Sequence, residues 1–192
     1  MIGSGKGSNF AAIARAIQSG QLNASVSLVL SDNPNAGILE IGRDLGFPTE
    51  ALPISKFRTK LEPEIETLAA QKLMAAKTDL VVLAGYMRMI KAPLLDMFPN
   101  RIVNIHPSLL PAFPGLEAWR QAWEARVSVT GCTVHWVDAG MDTGKVIAQA
   151  MVPVLETDTP EILHARIQEA EHKLYPACIK EIASSSVFFQ RA

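Results

Sequence analysis

Two polar residues near the middle of the chain, Asn104 and His106, are of types and at a spacing that could do chemistry. They belong to residues 101–111, RIVNIHPSLLP, in which Ile102, Val103 and Ile105 predict a short buried strand. Alternate side chains of a strand share a face, so Asn104 and His106 project together. Pro107 removes a ladder donor and Pro111 follows closely, so the strand is expected to stop at His106. The carboxyl ends of strands are where open α/β sheets bind their ligands. There a neutral imidazole and an amide can polarise a carbonyl and share the charge that develops on its oxygen. The same two residues also suit a satisfied core histidine with an Asn capping a turn.

The elements that must position this pair can be read on either side of it. Residues 26–30 (VSLVL) predict a strand, and Ser31-Asp32-Asn33-Pro34 a turn. Residues 36–45 predict a helix stopped at Gly46, residues 48–53 a short Pro-flanked strand, and residues 57–76 a long amphipathic helix. Residues 79–84 (DLVVLA) have the apolar run of a central parallel strand, and 93–98 form a helical turn. Beyond Pro111 comes a loop and a helix with Trp119 and Trp123 at helical spacing, read as core. A strand over 127–137 contains His135, expected to pack behind the site rather than react. The link 138–144 (DAGMDTG) leads to the strand KVIAQAMVPV. Thr159 as cap and Pro160 at the first position open the last helix, where Gln168, Glu171 and His172 share a face. His164 and His172 are too far apart along it to chelate one metal ion, so no metal is expected. The fold class is α/β, a Rossmann-like, mostly parallel sheet with helices on both faces, in a single domain over 1–192.

The chain opens with MIGSGKGSNF, a glycine loop running into a helix. Such a loop turns backbone N–H groups toward an anion, helped by the positive end of the helix, and Ser8 or Asn9 can cap it. It can equally be a turn ahead of a capped helix. Only Met1 and Ile2 precede the glycines, where an apolar first strand is expected. The expectation is therefore a truncated first strand, a gap between buried edges, and a true start several codons upstream.

Composition narrows the function. The 192 residues are 48% hydrophobic, enough for a full core, and a net charge of −1 gives no broad attraction for nucleic acid or membrane. Cys132 and Cys178 lie far apart with no metal or redox spacing, which suits reduced core thiols of a cytoplasmic protein. No apolar run is long enough to span a bilayer, and no signal peptide is evident.

The string Asn104-Ile105-His106-Pro107-Ser108-Leu109-Leu110-Pro111 resembles the signature of the folate-dependent formyltransferases. The segment Gly85-Tyr86-Met87-Arg88-Met89-Ile90 is similar to a further motif of that family, and the glycine loop resembles the phosphate loop of the branch that formylates glycinamide ribonucleotide. The resemblance runs over nearly the whole chain. It implies formyl transfer from 10-formyltetrahydrofolate, a cosubstrate and not a bound cofactor, to that ribonucleotide in purine synthesis. The implied catalytic residues are Asn104, His106 and Asp142. Gly7, Ser8, Asn9, Gln168 and Glu171 would hold the ribonucleotide. Lys60, Met87, Arg88, Met89, Ile90, Asn104 and residues 138–142 (Asp138, Ala139, Gly140, Met141, Asp142) would meet the folate. The N-terminal half would bind ribonucleotide, and the C-terminal half would bind folate and catalyse. Partners would be these small molecules alone, on a monomer or homodimer. A degenerate paralogue that binds without turnover, or a transferase for another amine, is the alternative.

Overall fold

Alternation along the strands sets the layering. The computed structural model describes residues 1–185. Val29 of β1 (Val29–Ser31), Val82 of β3 (Val81–Leu83) and Val103 and Ile105 of β4 (Ile102–His106) share one core. That core is closed by Phe10 and Ile13 of α1 (Ser8–Gln18), Ile38 and Leu39 of α2 (Gly37–Asp44), and Leu163 and Ile167 of α6 (Pro160–Ser184). The intervening residues Leu30, Val81, Leu83 and Ile102 point the other way, onto Ala69, Ala70 and Leu73 of α3 (Pro63–Ala75) and Leu94 of α4 (Ala92–Met97). Helices thus cover both faces of the sheet.

β2 (Thr49–Ala51) runs parallel to β1, and β3 parallel to β4. β5 (Val129–Trp136) and β6 (Val146–Pro153) extend the sheet antiparallel, in the order β3-β4-β5-β6. The expected central gap is not there. Ile2 bridges Leu30 on one side and Leu83 on the other, both parallel. Its N–H donates to Val82 O at 2.9 Å and its carbonyl accepts from Ala84 N at 2.8 Å, while Leu30 N donates to Met1 O at 2.9 Å. Residues 1–3 therefore join the two parts of the sheet. A side-chain hydrogen bond between Ser27 and Thr78, 3.0 Å, spans the space between the leading ends of β1 and β3.

Three further expectations are corrected. The long helix begins at Pro63, not near 57, because proline occupies its first turn and holds Glu62 extended (φ −63°, ψ 147°). Neither Ser8 nor Asn9 caps α1: the N-cap is Gly7 at φ 80°, and Asn9 is used elsewhere. Of the two tryptophans, Trp119 packs against the edge of the core while Trp123 does not. The buried face of α5 (Ala118–Glu124) is Ala118 and Ala122, whose small side chains leave the large rings at the flank. Trp119 is half-buried and stacks on His164, with centroids 3.8 Å apart and planes 5° apart. Trp123 is 37% exposed and donates its indole N–H to Asp158 O at 2.6 Å. The cap at Thr159 is as expected, its hydroxyl accepting from Ile162 N at 3.3 Å.

One contact ties α6 to the strands that carry the candidate residues. The hydroxyl of Tyr175, fully buried on α6, lies 2.9 Å from Leu83 O and 3.0 Å from Val103 O. It reaches the backbone of β3 and β4 from below, next to the end where Asn104 and His106 emerge.

Candidate active site

β4 carries Asn104 and His106 on the face of Ile102, and the strand ends at His106, as its two prolines dictate. β5 lies against it with His135 opposite Asn104 and Thr133 opposite His106. The loop 138–144 joins β5 to β6 and returns Asp142 over this pair. Asp138 Oδ1 folds that loop, accepting from Gly140 N at 3.0 Å and from the Thr143 hydroxyl at 2.7 Å. Asp142 itself sits at φ 55°, a left-handed conformation that Asp tolerates better than most residues.

His106 is 4% exposed, and each ring nitrogen faces an oxygen. Nε2 is 2.8 Å from the carbonyl of Phe113, and Nδ1 is 3.4 Å from Asp142 Oδ2. A carbonyl only accepts, so Nε2 carries a hydrogen. As an imidazolium the ring would donate from both nitrogens. Asp142 Oδ2 also accepts from Gly115 N at 2.9 Å, tying the 113–117 loop to the same carboxylate.

His135 is 2% exposed, and burial lowers its pKa. Its Nδ1 lies 2.9 Å from Trp136 O and so donates, leaving Nε2 as an acceptor for the Asn104 amide at 3.3 Å. Asp142 Oδ1 lies 3.7 Å from that same Nε2. A neutral His135 thus orients Asn104 while Asp142 faces His106. Thr133 supports the loop after β4: its buried hydroxyl donates to Ser108 O at 2.7 Å and accepts from Leu110 N at 3.0 Å. Sequence reasoning passed over Thr133; its place two residues before His135, on the same strand face, was the available signal.

The glycine loop leaves the sheet just past the carboxyl end of β3, where Ser4 N donates to Gly85 O at 3.0 Å. Gly7 needs its left-handed φ, and a Cβ there would lie 2.7 Å from the Cα of Ile38. Asn9 and Glu171 meet, Nδ2 to Oε2, at 2.8 Å. Glu171 is 4% exposed, and burial pushes its pKa up to about 7 against the opposing Asn9 hydrogen bond. Gln168 is half-buried one turn earlier on α6. This group draws on both halves of the chain.

The third group is more dispersed. Lys60 precedes α3 on an exposed loop, its ammonium 5.0 Å from the centroid of Phe57. Its backbone bridges that of Met89. Met87 is exposed, whereas Ile90 is buried in the core with Leu94, leaving chiefly its backbone for a ligand. Asp138, Ala139, Gly140 and Met141 are exposed on the loop that carries Asp142. Arg88 points its guanidinium into protein, at Asp32 and the carbonyls of Phe57 and Lys60.

Comparison with known proteins points to one family. A family model described as formyl transferase matches residues 1–179. Phosphoribosylglycinamide formyltransferase of Bacillus subtilis (strain 168) is 42% identical over 179 residues, 93% of this chain and 91% of the relative. The human trifunctional purine biosynthetic protein adenosine-3 is 36% identical over 184 residues, 96% of this chain but 18% of that protein. The crystal structure of phosphoribosylglycinamide formyltransferase from Bacillus halodurans superposes with a TM-score of 0.89 at 43% identity, covering 98% and 97% of the two chains. By the match over residues 1–179 and the 42% identity to the Bacillus subtilis enzyme, the chain belongs to the formyl transferase family.

Proposed function

We propose that the chain transfers the formyl group of 10-formyltetrahydrofolate to the primary amine of glycinamide ribonucleotide, a step of purine biosynthesis. The observation that carries this reading is the set of contacts around His106: one nitrogen toward Asp142, the other donating to a carbonyl oxygen. The Phe113 carbonyl holds the kind of acceptor that a formyl oxygen would present. A substrate taking its place would receive the same hydrogen bond.

The amine lone pair attacks the formyl carbon, forming the new C–N bond, and the formyl oxygen gains the displaced electron pair. His106 and the Asn104 amide donate to that oxyanion, at positions set before reaction by Asp142 and His135. The amine then loses a proton, the bond from carbon to the folate nitrogen breaks, and that nitrogen takes a proton. Asp142 and His106 serve this transfer. Gly7, Ser8 and Asn9 offer backbone N–H groups at the start of α1 to the ribonucleotide phosphate. Gln168 and Glu171 hold the remainder of the ribonucleotide, with the Glu171 carboxylate near the amine. The exposed loop 138–142, Lys60 and the backbone of 87–90 receive the folate, which arrives and leaves as a cosubstrate. The chain acts on these small molecules as one unit, as a monomer or homodimer. Among the described residues no helix is long and apolar enough to cross a membrane.

The test is a formyl-transfer assay with the purified chain, following the absorbance of the deformylated folate. Turnover that requires glycinamide ribonucleotide is expected. Equal folate deformylation with water alone would make the chain a hydrolase. A folded chain that binds folate without turnover would make it a binding protein.

A further inference from the structure

Arg88 and Asp32 form an ion pair on the floor of the loop region, with side chains 14% and 5% exposed. Asp32 follows β1, far from Arg88 in sequence, and joins it through Nε and Oδ2. The Nη1 arm of Arg88 is spent on backbone carbonyls, those of Phe57 and of Lys60 at 3.1 Å. Beside it Met89 N donates to Thr59 O at 2.8 Å, so side chain and backbone together clamp residues 57–60 to residues 87–90. Met87 N reaches across to the Ser4 hydroxyl at 3.1 Å, in the glycine loop.

The pair therefore sits between two segments that meet at one seam, and it has no contact with Asn104, His106 or Asp142. An Arg guanidinium has a fixed planar fork, so its two arms set the angle between Asp32 and the 57–60 carbonyls. Breaking a buried charge pair leaves the remaining charge uncompensated, and the seam relaxes to solvate it. A displacement of about an ångström in a binding edge is enough to weaken a ligand that uses backbone donors and acceptors.

We propose that Asp32 and Arg88 are positioning residues for the folate, holding the 57–60 and 87–90 segments in the spacing its ring system requires. This rests on the proposed function. The test uses the full chain with Asp32→Asn, Asp32→Glu and Arg88→Lys. Kinetics are run against each substrate, and calorimetric titration with tetrahydrofolate is done without ribonucleotide. Asp32→Asn is expected to raise the KM for the formyl folate and weaken tetrahydrofolate binding by about tenfold, the loss of one charge-assisted hydrogen bond. The saturated kcat should stay within about twofold, since the His106 group keeps its own contacts. The KM for ribonucleotide should rise less than that for folate, because the seam touches the glycine loop at Ser4, ahead of Gly7, Ser8 and Asn9. Asp32→Glu should recover most of the loss. Arg88→Lys keeps the charge but lacks the second arm, and it should show the same folate-selective loss where Asp32→Asn does not fold. Variants that bind tetrahydrofolate as well as the parent overturn the proposal, as does equal weakening of both substrates. If the parent chain binds no folate, the functional reading falls and this role falls with it.

Discussion

Asn9 and Glu171 are 162 positions apart, yet the Asn9 amide donates to the Glu171 carboxylate at 2.8 Å inside the contact between α1 and α6. The carboxylate is buried, and one hydrogen bond only partly offsets the cost of its charge. Its pKa stands at about 7, above the ordinary 4.5. A carboxyl whose folded pKa is raised binds more protons folded than unfolded between those values. Its favourable contribution is complete below 4.5 and is lost as pH rises through about 7. Glu171→Gln should therefore remove a decline in stability of about 3 kcal/mol between pH 4.5 and 8. Urea unfolding of both proteins across that range measures it; a parent-minus-variant difference that does not change with pH would refute the raised pKa.

Gly7→Ala tests the glycine loop. The alanine methyl would meet the backbone of Ile38 at 2.7 Å, and φ 80° disfavours any side chain. The expected cost is about 1–3 kcal/mol in urea unfolding, from the strained conformation. The KM for the ribonucleotide should rise while folate binding changes little, because the displaced N–H groups are those at the start of α1. Unchanged ribonucleotide affinity in a destabilised variant would remove the loop from the phosphate site.

What could be read from the sequence was what local chemistry decides. The strand 102–106 and its termination follow from alternation and two prolines, and Thr159-Pro160 fixed the start of α6. Asn9 shows the limit: its type and position suited a cap, but its partner lies on a helix at the other end of the chain. The short link formed by residues 1–3 has too few residues for any periodicity, and only pairing on both sides makes it part of the sheet. The late start of α3 was legible at Pro63, but the charged residues ahead of it mimic a helix face. Asp142 is beside His106 through loop closure, which spacing does not encode; there the family resemblance supplied what periodicity could not.

His135 should act through Asn104. His135→Leu removes the acceptor at 3.3 Å and leaves a half-buried amide unpartnered, at a cost of about 1–3 kcal/mol. A loss of about tenfold in kcat should accompany it, since the amide is no longer held toward the oxyanion. His135→Gln, which can supply an acceptor, should recover part of both. The pH dependence has a definite sign. Burial lowers the folded pKa below the ordinary 6.5, so the unfolded chain binds the proton first. The parent should lose stability as pH falls below 6.5, and the Leu variant should lack that component. A leucine variant with parental kcat would leave His135 a packing residue.

Asp142→Asn isolates the carboxylate charge from its geometry. Asn accepts the left-handed φ of 55° and keeps an oxygen for Gly115 N, so the loop should hold and thermal unfolding should shift little. What is lost is the anion 3.4 Å from His106 Nδ1, and with it the partner that would orient a doubly protonated ring. Turnover should fall by a factor of at least about 10² while both substrates still bind, and His106→Ala should fall as far. Because the two residues serve one proton transfer, the double variant should be scarcely slower than either single one. Multiplicative losses in the double variant would mean that Asp142 and His106 act separately, with the carboxylate serving the folate nitrogen and the imidazole serving the oxyanion.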